Sequence, residues 1–222
     1  MTDPVPSKGW PWAQVAGAER ARWLEPDGDV MVFASRLHKE AARRVYDLGC
    51  GLGRHTVYLA QQGFDVCASD ISPESLAQTA RWLQSEGLRA EVVSSDITRI
   101  PYPDACFDAV LAFNVVYHAT SEGVAQCLQE VHRVLRSGGL CFVTFNSTLS
   151  DDWGKGRKLD DYTYVKVGGI EDGIPHHFID RPQMERLMTG FDLLRITHKD
   201  EWLPEAGQLS RAAHWHVLAR KL

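Results

Sequence analysis

The stretch Val45-Tyr46-Asp47-Leu48-Gly49-Cys50-Gly51-Leu52-Gly53-Arg54-His55 runs from apolar residues into three alternating glycines. The apolar run predicts a buried strand, and the residues after Gly53 have a helical pattern. Glycine accepts positive φ and lets a ligand approach the backbone closely. Free N–H groups at the start of the next helix suit an anionic or hydroxyl-bearing ligand. The stretch therefore predicts a strand, a ligand-binding turn and a helix.

The glycine spacing separates several kinds of ligand. A dinucleotide fingerprint has the form GxGxxG or GxGxxA, and its third small residue lets helix and strand pack closely. Here the residue three positions after Gly51 is Arg54, whose long side chain does not fit that role. No GK[ST] follows, so a phosphate-binding P-loop is also disfavoured. An NAD-dependent oxidoreductase on a related sheet stays open as an alternative.

Outward from this turn, the chain alternates strand and helix patterns. Predicted strands are Val45–Leu48, Asp65–Ser69, Ala90–Ser95, Phe107–Phe113, Leu140–Phe145, Phe191–Thr197 and Ala212–Ala219. Predicted helices are Ala13–Leu24, Val30–Arg43, Arg54–Gln62, Ser72 to Gly87, Glu122–Arg136 and Asp180–Met188. This alternation predicts an α/β fold, a doubly wound and mostly parallel sheet with helices on both faces. Ligands of such sheets bind beyond the carboxyl ends of the strands.

A carboxylate follows the second predicted strand. Asp70 lies 23 positions after Asp47, close to the spacing of a nucleoside-binding strand–helix–strand unit. A carboxylate there can accept two hydrogen bonds from a vicinal diol such as a ribose. The alternative is an acid that caps the helix opening at Ser72-Pro73.

The motif Asp47-Leu-Gly-Cys-Gly-Leu-Gly resembles the DxGxGxG motif of class I S-adenosylmethionine-dependent methyltransferases. The resemblance spans roughly residues 40–147. It implies a Rossmann-like sheet of seven strands with the last strand antiparallel, S-adenosyl-L-methionine as cofactor, and methyl transfer by in-line displacement. It also implies cofactor-binding positions: Asp47, Gly49, Gly51, Gly53, Asp70, Ile71, Asp96, Ile97 and Asn114.

Within that resemblance, Asp96 at the end of the third strand would bind the exocyclic amine of adenine, and Ile97 would pack on the ring. An exposed loop acid is the alternative for Asp96. Asn114 would lie beside the methionine half of the cofactor. The two prolines that usually follow such an Asn in nucleic-acid amine methylases are missing here, which favours a small-molecule acceptor.

The residues around Arg54-His55-Thr-Val-Tyr58 and the closing Val217-Leu-Ala-Arg-Lys are also similar to the tellurite-resistance branch of these enzymes. That similarity suggests a soft acceptor, a chalcogen oxyanion or a thiol. Other small-molecule methylases share the pattern after Gly53, so oxygen and nitrogen acceptors remain open.

Five residues are predicted to lie on the acceptor side, because they stand near strand ends or at the start of an antiparallel last strand. These catalytic candidates are His118, Tyr117, His177, Arg211 and His214. His214 and His216 share one face of their strand, where a hydrogen-bonded core pair is the main alternative. As metal ligands they would need a third partner, His177 or His118, so no metal site is predicted.

The 222 residues, with a net charge of −5, fit one domain spanning 1–222. The acidic balance disfavours nucleic acid and anionic membranes as partners. Residues 1–43 are expected to form a helical lid, and the polar, glycine-rich residues 148–178 an acceptor-side lid. The five cysteines without a CxxC pair, and the absence of a visible signal or membrane span, favour the cytoplasm. A monomer or homodimer is expected, and a non-catalytic cofactor-binding module is a further alternative.

Overall fold

The structure is a computed structural model that describes residues 8–15, 17–205 and 208–222. Its strands are β1 Arg44–Leu48, β2 Asp65–Asp70, β3 Glu91–Ser94, β4 Phe107–Ala112, β5 Leu135–Ser147, β6 Arg157–Lys158, β7 Thr163–Val165, β8 Pro175–Ile179, β9 Phe191–Glu205 and β10 Gln208–Lys221. Its α-helices are α1 Gly17–Arg22, α2 Gly28–Lys39, α3 Arg54–Gln61, α4 Pro73–Ser85, α5 Ser121–Val134 and α6 Arg181–Leu187.

Seven strands form the main sheet in the order β3-β2-β1-β4-β5-β10-β9. The first five are parallel, and β10 runs antiparallel to both β5 and β9. This arrangement confirms the predicted doubly wound α/β sheet with an antiparallel last strand. The carboxyl ends of β1, β2, β3 and β4 therefore meet at one edge of the sheet.

Polar caps set where the helices begin. The side chains of Asp27, Ser72 and Thr120 each accept a backbone N–H of the helix that follows. Asp180 and Gln183 form a reciprocal capping box at the start of α6. The helix starts at Ser72-Pro73 and at Asp180 are those that the sequence predicts.

The sheet buries apolar side chains on both of its faces, which are the two core layers. One layer contains Tyr46 and Leu48 together with the apolar side of α5. The other contains Val45 and Val66 packed against α2. Neighbouring residues of β1 thus point to opposite layers, as the alternation of a strand requires. Among the described residues, none of the helices is long and apolar enough to cross a bilayer.

Besides β9 and β10, which are longer than predicted, three predicted boundaries differ most from the structure. The pattern over 13–24 yields only a 3-10 turn at Trp12–Gln14 and the short helix α1, because Trp12 and Val15 pack in a separate aromatic cluster. The strand predicted at Leu140–Phe145 begins earlier, at Leu135, and includes the Ser-Gly-Gly turn. The third difference lies between residues 148 and 178, which contain β6, β7 and the start of β8.

Those three added strands branch from the main sheet at β5. β8 pairs in parallel with the last two residues of β5, and β7 and β6 continue outward from it in antiparallel order. Polar residues and glycines hide these strands from pattern analysis, because they interrupt the apolar alternation by which a strand is recognised. The pair His176-His177 lies within β8 rather than in the loop that the sequence predicts.

Candidate active site

The glycine turn after β1 is attached to the end of β2. The Cys50 N–H donates to the Ser69 carbonyl at 2.8 Å, and the Gly51 N–H donates to Asp70 Oδ2 at 2.9 Å. Gly49 has a φ of +71°, and a Cβ placed on it would lie 2.1 Å from Cγ2 of Val115. Only glycine fits there, because both the backbone conformation and the approach of the loop after β4 exclude a side chain.

Gly53 begins α3 with a φ of +92°. A Cβ on Gly53 would lie 2.7 Å from Oγ1 of Thr79 in α4. This third glycine therefore allows α3 and α4 to pack closely, while Gly49 makes room for the loop after β4.

Asp47 is turned into the junction between β1 and α3. Its side chain is buried, and its Oδ2 accepts a hydrogen bond from Thr56 Oγ1 at 2.6 Å. Burial raises the pKa of Asp47 to about 6, although the hydrogen bond from Thr56 opposes this shift. Asp47 thus bonds the first turn of α3, the helix that follows the glycine turn.

Asp70 lies at the carboxyl end of β2 with both carboxylate oxygens in use. Oδ2 accepts the Gly51 N–H, and Oδ1 accepts the Ser72 N–H at 2.8 Å. Burial raises the pKa of Asp70 above its ordinary value, opposed by these backbone donors. Each oxygen has a second lone pair, so the carboxylate can still accept two hydroxyl groups. A Cβ placed on Gly9 would lie 3.5 Å from Cγ2 of Ile71, so the N-terminal segment passes close to this residue.

Asp96 and Ile97 follow β3 at the same edge of the sheet. Asp96 Oδ1 accepts hydrogen bonds from the backbone N–H and the hydroxyl of Thr98, at 2.8 and 2.7 Å. Ile97 is partly buried against the core. The short turn after β3 therefore holds the Asp96 carboxylate in place through Thr98.

Asn114 follows β4 in the left-handed region, with a φ of +55°. Its backbone N–H donates to Thr144 Oγ1 at 2.7 Å, and its Oδ1 accepts from the same hydroxyl at 3.1 Å. Thr144 of β5 therefore holds the sharp turn after β4, which carries Val115 toward Gly49.

The N-terminal residues cover the glycine turn. The ring of Trp12 lies 3.2 Å from a Cβ placed on Gly51, and Trp12 packs with Val15 and Leu52. The Trp10 ring lies 5.8 Å from that of Trp12 and 5.5 Å from that of His118, measured between centroids. Aromatic rings thus connect the glycine turn to the residues that follow β4.

On the acceptor side, three of the five candidates lie together. The rings of Tyr117 and His118 are 4.5 Å apart, and those of Tyr117 and His214 are 5.7 Å apart. His176 joins them, with its ring 4.7 Å from that of His118. Burial lowers the pKa of His118 to about 3 and that of His214 to about 4, so both imidazoles are neutral at pH 7.

The other two candidates lie elsewhere. His177 is on the opposite face of β8 from His176, and its Nδ1 lies 2.9 Å from Thr163 Oγ1. Arg211 forms an ion pair with Asp200 of β9, with its Nη2 2.8 Å from Oδ2. His216 bonds Asp29 of α2 at 2.8 Å through Nδ1, which fits the predicted structural role of that histidine. The order of strand ends alone did not distinguish the faces of β8 and β10.

Two acceptor-side residues were not predicted. Glu171 lies 3.1 Å from His176 Nε2 through its Oε1, and Asn146 lies 3.5 Å from His176 Nδ1 through its Nδ2. Neither follows a recognisable motif. Glu171 lies in a glycine-rich stretch whose position depends on β7 and β8. Asn146 is the second-to-last residue of the buried strand β5.

Residues 45–139 match a protein family described as a methyltransferase domain. Methyltransferase GfsG of Streptomyces halstedii is 32% identical over 122 residues, or 52% of this chain and 43% of that protein. Sterol 24-C-methyltransferase ERG6B of Gibberella zeae is 30% identical over 165 residues, or 71% of this chain and 41% of that protein. The chain thus spans less than half the length of these curated relatives.

The crystal structure of TehB from Haemophilus influenzae has a similar fold, with a TM-score of 0.69 at 20% identity. The superposition covers 89% of this chain and 63% of TehB. Together with the matching domain and the strand order, these similarities confirm the resemblance that the glycine motif predicts. Residues 45–139 thus carry a methyltransferase domain, and the chain as a whole has a fold similar to that of TehB.

Proposed function

We propose that this protein transfers a methyl group from S-adenosylmethionine to a small-molecule acceptor. One observation carries the proposal: the glycine turn, Asp70 and Asp96 meet at one edge of the sheet, beside a buried group of aromatic and histidine side chains. The first part matches the needs of a nucleoside cofactor. The buried aromatic and histidine side chains would form a separate site for the methyl acceptor.

The residues present fit S-adenosylmethionine, the cofactor of this family. Gly51 would bring backbone against the cofactor, and the unused lone pairs of Asp70 would accept the ribose hydroxyls. Asp96 and Ile97 would hold the adenine. Asn114, with its side chain against Thr144, would lie beside the methionine half.

Bound S-adenosylmethionine supplies a methyl group already activated on a sulfonium, so the chain's own residues mainly orient the reactants and exclude water. Trp10 and Trp12 lie over the glycine turn and would place aromatic faces near the sulfonium of a bound cofactor. We propose residues 1–43 as the lid over the cofactor and 148–178 as the lid over the acceptor.

Neutral histidines line the acceptor side. A general base works best with a pKa near the working pH, and burial puts the pKa values of His118 and His214 well below it. These two side chains would therefore orient an acceptor through hydrogen bonds rather than remove its proton at pH 7. Tyr117, buried between them, would form the wall of the site.

The test is a transfer assay with a radiolabelled methyl group, run against thiols, phenols, amines and chalcogen oxyanions. We expect transfer to one of these classes and inhibition by S-adenosylhomocysteine. Binding of S-adenosylhomocysteine without methyl transfer to any acceptor would favour the non-catalytic cofactor-binding module. Micromolar binding of NAD alone would sink the cofactor assignment. Cytoplasmic location and a monomeric or dimeric state stay predictions.

A further inference from the structure

Two histidines and a glutamate converge on the acceptor side. One ligand atom each from His118, Glu171 and His176 lies within 4.8 Å of the other two. We propose that these three side chains bind a divalent first-row transition-metal ion. Two imidazoles and one carboxylate form a donor set that suits Zn²⁺ and Fe²⁺, and three protein ligands leave coordination positions for water or a further donor.

The backbone holds these residues together although they come from distant parts of the chain. The N–H of His177 donates to the carbonyl of Tyr117 at 2.8 Å, which sets His176 beside His118. Glu171 lies in the loop that leads into β8. Ile170, its neighbour, packs against the cluster of Trp12, Val15 and Leu52. The hydrogen bond to Tyr117 and the packing of Ile170 therefore hold His118, His176 and Glu171 near one another.

Two ring nitrogens in this group lack the partners that burial normally requires. His118 Nδ1 and His176 Nε2 are buried, and neither has a hydrogen-bond partner among the residues that the structure describes. His176 Nε2 lies 3.1 Å from Glu171 Oε1 without the geometry of a hydrogen bond. A buried neutral imidazole nitrogen with a free lone pair is the form that binds a metal.

A tetrahedral ion with bonds of 2.0–2.2 Å separates its ligand atoms by roughly 3.3 Å. The pair His176–Glu171, at 3.1 Å, is close to that separation, and the ligand atom of His118 lies within 4.8 Å of both, so a rotation of the His118 side chain would complete the site. Asn146 lies at His176 Nδ1, and its amide oxygen turned toward the ring would hold the proton there and leave Nε2 free.

The nearest cationic side chain described, Lys166, is paired mainly with Asp152 and not with Glu171. Lys166 Nζ is 3.8 Å from Glu171 Oε2 but only 2.5 Å from Asp152 Oδ2, so Asp152 is its closer partner. The competing arrangement contains no metal: His176 Nε2–H approaches Glu171, and the lysine and two carboxylates form a closed ionic network. Metal titration separates the two arrangements.

The experiment uses the full chain, stripped with a chelator and titrated with Co²⁺ while visible ligand-field absorption is recorded. We expect one bound ion per chain, displaced by Zn²⁺. Glu171→Gln and His176→Gln should each weaken Co²⁺ binding about 100-fold or more, beyond the loss typical of outer-shell residues. His132→Gln is the control, because His132 packs on Phe191 away from this group.

Circular dichroism melts of each variant confirm that the fold is intact. No Co²⁺ binding by the wild-type chain would establish the metal-free network and overturn the proposal. Equal binding by wild type and both ligand variants would place the ion elsewhere, for instance on a cysteine. Calorimetry of S-adenosylhomocysteine with the stripped protein tests the cofactor separately, so either proposal can fail without the other.

Discussion

Single residues at the edge of the sheet where we propose that the nucleoside binds also hold the local structure together. Asp70 holds the glycine turn and the start of α4 through two backbone donors, and each of its oxygens keeps a second lone pair. Gly49 and Gly53 serve tight contacts with Val115 and Thr79. The motif residues therefore shape the turn as much as they would bind a ligand. Substitutions have to separate these roles.

Asp70→Asn should weaken the binding of S-adenosylhomocysteine about 10- to 100-fold, because a hydrogen bond to a charged acceptor contributes roughly 1.5–3 kcal/mol. Isothermal titration calorimetry measures this change. Asp65→Asn is the matched control, since Asp65 begins the same strand and is exposed. An affinity unchanged in Asp70→Asn would show that the ribose lies elsewhere.

Gly49→Ala should destabilise the fold more than Gly63→Ala. Both glycines have positive φ, +71° and +85°, so each alanine carries about 1–2 kcal/mol of backbone strain. Only at Gly49 would the new methyl clash, with Val115, which adds roughly 1–3 kcal/mol. Urea unfolding of the two variants gives the difference. Equal losses would mean that the loop after β4 moves aside freely.

Polar contacts join helix α2 to the elements around it. The Asp27 N–H at its start donates to His55 Nε2 of α3 at 3.2 Å. Asp29 in its first turn accepts from Lys199 of β9 and bonds His216 of β10. Burial lowers the pKa of His55 well below 6.5, reinforced by the Arg54 charge. The hydrogen bond between Asp27 of the α2 cap and His55 of α3 therefore requires a neutral His55 imidazole.

Acid should weaken the contact between Asp27 and His55 and so lower the free energy of unfolding. Between pH 6.5 and 5 the unfolded chain binds a proton at His55 that the folded chain does not, so the free energy of unfolding falls as pH falls. By pH 5 the contribution of His55 is up to about 2 kcal/mol. Urea unfolding at pH 7.5 and 5 should show a smaller difference for His55→Gln. The exposed His38, changed to Gln, should keep the wild-type difference.

At the scale of the whole molecule, parallel strand order assembles the site. Four strand ends bring residues 47–53, 70, 96 and 114 to one edge, although they are spread over the first half of the chain. The branch formed by β8, β7 and β6 then adds the acceptor side. Ligand binding at this edge should stabilise the entire fold.

S-adenosylhomocysteine at 100 times its dissociation constant should add about 2.7 kcal/mol to the free energy of unfolding. For a chain of 222 residues this corresponds to a rise in Tm of roughly 5–11 °C. Differential scanning calorimetry measures the rise, with NAD at the same concentration as the control. A larger rise with NAD would contradict the cofactor assignment.

Local sequence was sufficient to predict the glycine turn at which we propose that the cofactor binds. Residues 45–55 form one contiguous strand–turn–helix unit, so their glycine spacing alone predicts the turn and the family. The apolar runs predict the seven main strands because burial and alternation leave a readable pattern. The ends of β5 and β9, and all of β6 and β7, were not predicted, because polar residues and glycines interrupt the apolar alternation in these short or terminal stretches.

The acceptor half depends on tertiary contacts. Glu171 and His176 reach His118 only because β8 aligns with the end of β5 and because His177 bonds the backbone of Tyr117. The same alignment turns His177 to the far face, and pairing with Asp200 holds Arg211 away. Spacing along the chain does not predict these contacts, since Glu171 and His176 lie more than 50 positions from His118 and reach it through the backbone pairing of β8.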